Sequence, residues 1–81
     1  MKKIFESGFN GDFESAQNLY VYEFENKKEY WKFDEMSFEE KCDYFGVREE
    51  CSVMPGGSFH RYIFNHSTNY VVVYEIIAYN V

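Results

Sequence analysis

Apolar positions fall in short runs along this chain, and the densest is Tyr70-Val-Val-Val-Tyr-Glu-Ile-Ile-Ala-Tyr-Asn-Val81. Counted in twos, Tyr70, Val72, Tyr74, Ile76 and Ala78 share one face, and Val71, Val73, Ile77 and Tyr79 the other. A strand with one wet face alternates apolar and polar residues, whereas a strand apolar on both faces is expected where both are covered. The run is too short for a membrane span, which takes about 20 apolar residues. It is predicted to be the central strand of a small sheet. Phe59–Asn65 reads as its hairpin partner, with His66-Ser-Thr-Asn69 as the turn.

Earlier in the chain, Lys2–Glu6 reads as a short strand. Asn10-Gly11 carries a type I′ turn signal between Phe5-Glu-Ser7 and Phe13-Glu-Ser15, which predicts a tight hairpin. The competing reading makes Asp12 an N-cap and runs a short helix over residues 12–18. Ala16 and Gln17 are poor strand formers, which favours the helix. Leu19–Glu25 and Glu29–Asp34 both alternate like strands, and the polar Glu25-Asn-Lys-Lys28 between them predicts a hairpin. In that hairpin Trp31 and Phe33 share a face. Ser37-Phe-Glu-Glu40 is a capping box that opens a helix over about 38–45. Phe38, Cys42 and Phe45 form its apolar stripe, and Gly46 stops it. The expected fold class is α+β: a small antiparallel sheet of four to five strands, one helix packed on one face and, on the competing reading, a second short helix near 12–18.

Composition supports one domain for residues 1–81. Nine Phe, eight Tyr and one Trp can each bury about 150–250 Å², so a chain this short can still make a core. The same surplus points to an exposed aromatic patch or a dimer. The net charge is −6. Beyond residue 51 only Arg61 and Glu75 carry charge apart from the histidines, so the acids crowd the first part of the chain. Such a protein is repelled by nucleic acid and by anionic membranes, and is attracted to basic partners. No apolar signal core follows Met1-Lys-Lys, and a cytoplasmic location is expected.

The chemistry-bearing residues are few. Cys42, Cys51, His60 and His66 are zinc-ligand types, but they lack the two-to-four-residue spacing of a zinc knuckle. A Cys42–Cys51 disulfide is disfavoured in a reducing compartment. His60 could act as a general base with Glu75 or a Tyr hydroxyl across the hairpin, yet no nucleophile motif accompanies it. Pro55-Gly-Gly-Ser58 lacks the Lys of a P-loop. Arg61-Tyr-Ile-Phe64 lacks the surrounding bases of a strand on which nucleic acid stacks. Neither catalysis nor a cofactor is expected.

The remaining signal is Asp34, Glu35, Glu39, Glu40, Asp43, Glu49 and Glu50, set against only Lys41 and Arg48. Placed on and beside the capped helix, these acids can imitate the field of duplex DNA, which carries one charge per about 1.7 Å of axis. Tyr30, Trp31 and Tyr44 are the expected anchors. In size, acidity and aromatic density the chain resembles the small proteins that phages and mobile elements encode against host defence, anti-CRISPR proteins and DNA-mimicking anti-restriction proteins among them. The resemblance implies a stoichiometric inhibitor that docks on a basic nucleic-acid-binding surface of a host protein or nucleoprotein complex. The alternative from another class is a self-assembling module that dimerises through its aromatic-rich sheet.

Overall fold

The apolar run that dominates the sequence becomes the middle of the sheet. The computed structural model describes residues 1–10, 15–51 and 58–79. In chain order the elements are β1 (Lys2–Asn10), β2 (Ser15–Glu23), α1 (Lys27–Glu35), α2 (Phe38–Phe45), β3 (Glu50–Cys51), β4 (Ser58–His66) and β5 (Tyr70–Tyr79). The sheet order is β1-β2-β5-β4-β3, antiparallel throughout, so β5 is central as its pattern predicts. The fold is α+β, with four long strands, a two-residue fifth and two helices among the described residues.

Two expectations are corrected. Residues 15–18, part of the expected helix over 12–18, are strand: Gln17 pairs with Phe9 on one side and Ile76 on the other. Pairing on both edges outweighs the weak strand propensity of Ala16 and Gln17. The rest of that expectation, and the Asn10-Gly11 turn itself, reach into residues outside those described. The second correction is Glu29–Asp34, which is helix rather than strand. Asn26 is an extended N-cap whose side chain accepts the Glu29 N–H at 3.0 Å, and Glu29 in turn accepts the Glu25 N–H at 3.2 Å. The tetrad read as a hairpin turn is therefore a helix start. On the helix Trp31 and Phe33 lie about 200° apart; Trp31 is 58% exposed and Phe33 fully buried.

The second helix forms as predicted. Ser37 and Glu40 exchange both capping-box hydrogen bonds at 3.2 Å. Gly46, at φ 67°, takes the left-handed turn that ends it, a conformation that costs glycine little. The helix is then closed by the Val47 N–H donating to the Cys42 carbonyl.

Both helices cover the face of the sheet that carries Val71 and Val73. There Phe24, Phe33, Tyr62, Val71 and Val73 form the buried cluster. Phe45 sits between layers, its ring 4.9 Å from Tyr22, 6.1 Å from Phe33 and 5.7 Å from Phe64. Helices this short are marginal alone in water, so they depend on this burial. Phe33→Ala should therefore lower stability by about 3–5 kcal/mol, while Trp31→Ala should cost no more than about 0.5 kcal/mol. Urea denaturation of both variants measures the difference, and equal costs would contradict a helical α1.

Candidate functional site

The two helices and the segment after them present the acids on one side of the molecule. Asp34, Glu35, Glu39, Glu40, Asp43, Glu49 and Glu50 are all exposed, but they are not equivalent. Asp34 Oδ1 lies 2.8 Å from His66 Nε2. Glu40 is held in its capping box. Glu49 accepts the Tyr62 N–H at 2.9 Å, which ties the segment after α2 to β4. Glu35, Glu39, Asp43 and Glu50 form no ion pair or side-chain hydrogen bond with the described residues, so their charges face solvent.

The aromatic anchors divide as well. Trp31 and Tyr44, 58% and 46% exposed, line one groove of about 720 Å³ together with Phe33, Met36, Glu29, Glu35, Lys28 and Lys32. Burial, with Glu29 and Glu25 nearby, pushes the Tyr44 hydroxyl up from its ordinary pKa, so it stays a hydrogen-bond donor. Tyr30 belongs to the core instead, edge-on to Phe24 at 5.6 Å and half-buried. A second groove, about 620 Å³ and lined by Phe38, Glu39, Cys42, Asp43 and Arg48, lies along α2. Buried Cys42 at its base is free, and burial followed by the charges of Glu49, Asp43 and Glu39 raises its thiol pKa. That environment favours the neutral thiol over the thiolate. The Cys51 side chain lies outside the described residues.

A second cluster forms where the helices end over the sheet. Register places Asn18, Glu75 and Tyr62 side by side across β2, β5 and β4. Glu75 Oε1 accepts from Asn18 Nδ2 at 2.6 Å and from the Tyr20 hydroxyl at 3.3 Å. Oε2 accepts from the Tyr62 hydroxyl at 2.9 Å and lies 2.6 Å from His60 Nε2, which donates to it when protonated there. Gly8 makes room for the arrangement: a Cβ at that position would fall 2.5 Å from Asn18 Oδ1. Of the two partners expected for His60 across the hairpin, Glu75 is there, whereas the Tyr62 hydroxyl 2.9 Å from His60 Nε2 comes from the same strand as His60. The centre of the cluster is the Glu75 carboxylate, which accepts from three side chains and from His60 when Nε2 carries the proton. Among the described residues no three His, Cys, Asp or Glu side chains come together as a metal site.

Sequence reasoning passed over the size of this cluster. The available signal was a single acid inside an apolar strand, since a half-buried carboxylate must find donors. Burial alone would raise the Glu75 pKa, but the hydrogen bonds from Asn18, His60 and Tyr62 outweigh it and hold the carboxyl below its ordinary range. Burial and the bond to Glu75 push the Tyr62 hydroxyl up, so it stays protonated and donating.

A carboxyl whose folded pKa is lowered adds stability above its unfolded pKa, and loses it as pH falls through the folded value. Glu75→Gln should cost about 1–3 kcal/mol at neutral pH. That cost should shrink as pH falls below the ordinary carboxylate range of about 4, where the native Glu75 is protonated too. Denaturant melts of both proteins across pH test this, and a gap that widens in acid would contradict it.

No helix among the described residues is long and apolar enough to cross a membrane. Comparison of the chain with protein-family models, with curated proteins and with solved structures returns no match.

Proposed function

We propose that this chain is a non-enzymatic protein-binding domain that docks its acidic helical side on a basic, nucleic-acid-binding surface of a larger complex. Phage and mobile-element inhibitors of host defence, of the anti-CRISPR or DNA-mimic type, act in this way. The observation that carries the reading is the groove lined by Trp31 and Tyr44. It sets exposed aromatic rings, which interfaces favour as anchors, on a wall of mixed charge, Glu35 with Lys28 and Lys32, beside the acids of α2. Glu39 and Asp43 extend the negative field along α2. Rim charges of this kind act mainly on association rate and partner choice.

Two further features support a binding role over catalysis. The Glu75 carboxylate is engaged by four side chains, which ties it into the network of the sheet. The buried thiol of Cys42 has a raised pKa, which favours the neutral form.

Trp31 is the only tryptophan, so its emission reports on the groove directly. Titration with an arginine-rich peptide, a stand-in for the basic surface, should shift that emission to the blue. The affinity should fall steeply as salt is raised. The triple variant Glu35/Glu39/Asp43→Lys, which spares the capping residue Glu40, should abolish the response without unfolding α2. Affinity that stays flat from low to high salt, or an unaffected triple variant, would overturn the electrostatic reading.

A further inference from the structure

The sheet has two faces, and the described helices cover one. On the other lie Leu19 and Val21 of β2, Val72, Tyr74 and Ile76 of β5, and Ile63 of β4, brought together by register. Ile63 is 45% exposed, and the other five are half-buried rather than buried. The sequence pattern of β5 is that of a strand covered on both sides, yet α1 and α2 lie only over Val71 and Val73.

We infer that this open face is the surface on which a second copy of the chain packs, sheet against sheet. Three observations favour a copy over an unlike partner. The first is charge. Glu23 is the single acid on the face among the described residues, beside its register partner Lys2, and Arg61 is the other base. A protein of net charge −6 repels its own copies over the helical side, and here it presents a face free of net negative charge. The second is area. Strands spaced about 4.8 Å apart at about 3.3 Å per residue make a face of roughly 20 by 30 Å, or about 600 Å². That approaches the roughly 800 Å² per partner of a standard interface. The third is shape. A twisted antiparallel face is complementary to another such face, and two of them pack about 10 Å apart with strands inclined by about 30°. The paired sheets give β5 its second cover, and both helical sides stay outward.

Sedimentation equilibrium of the whole chain from low micromolar to near-millimolar concentration tests the inference. The native protein should move from monomer to dimer and stop there. Ile63→Lys buries a charge at the interface and should raise the dissociation constant by about a hundredfold or more. Lys27→Ala, exposed at the start of α1 on the helical side, should leave it unchanged. A native chain monomeric throughout the range, or an Ile63→Lys chain that dimerises as well as the native one, would overturn the proposal. Should Ile63→Lys fail to fold, the thermal midpoint of the native chain gives an independent reading. It rises with protein concentration for a dimer, and a constant midpoint would overturn the inference.

Discussion

Everything on the helical side depends on two rings docking onto two valines. α1 and α2 have nine and eight residues, too few to hold a helix in water by propensity alone. Phe33 from the first and Phe45 from the second set their rings against the sheet layer of Val71, Val73, Tyr22 and Phe64. The caps at Asn26 and Ser37 decide where each helix begins, but this burial decides whether it exists. Only one residue separates the α1 C-cap, Met36, from the start of α2, so both helices are placed by the same contact layer. The acids and the Trp31–Tyr44 groove ride on that layer, which is why a core substitution at Phe33 and a surface one at Trp31 are expected to act so differently.

The parts legible in the sequence were those with redundant local signals. β5 announced itself by two apolar faces, and α2 by a capping box, a stripe at Phe38, Cys42 and Phe45, and a terminal glycine. α1 was hidden because Tyr30-Trp-Lys-Phe33 is short enough to satisfy both periods. Taken in twos it pairs Trp31 with Phe33, and taken at 3.6 it pairs Tyr30 with Phe33. The deciding signal, Asn26 three residues before Glu29, was present but read as a turn. At 15–18 the loss was of another kind: nothing local in Ser-Ala-Gln-Asn favours a strand, and the pairing with β1 and β5 that makes it one is set by partners far along the chain.

The candidate site shows the same division. Negative charge over 34–50 was visible in composition, and so were the aromatics beside it. What composition cannot reveal is which acids are engaged at long range. Asp34 meets His66 across 32 residues and Glu49 meets the Tyr62 backbone across 13. Tyr30 differs from Trp31 by one position and is turned into the core. The effective acidic surface is therefore narrower than the charge count, and it centres on Glu35, Glu39 and Asp43.

Element lengths explain why a charged residue stands in the middle of the most apolar strand. A nine-residue helix is about 14 Å long, whereas strands of nine or ten residues reach about 30 Å. Helices lying on this sheet leave part of its covered side without a lid. Val71 and Val73 fall under the helices and are buried, and Glu75, the next residue on that side, falls at their margin. An apolar residue there would meet water on one side and polar neighbours on the other. A carboxylate can instead gather Asn18, Tyr20, Tyr62 and His60 into one network spanning β2, β5 and β4. That network fixes strand register where no helix does, since a one-residue slip would turn Glu75 to the opposite face. Glu75 is thus the point at which the sheet changes from a packed layer to a hydrogen-bonded one.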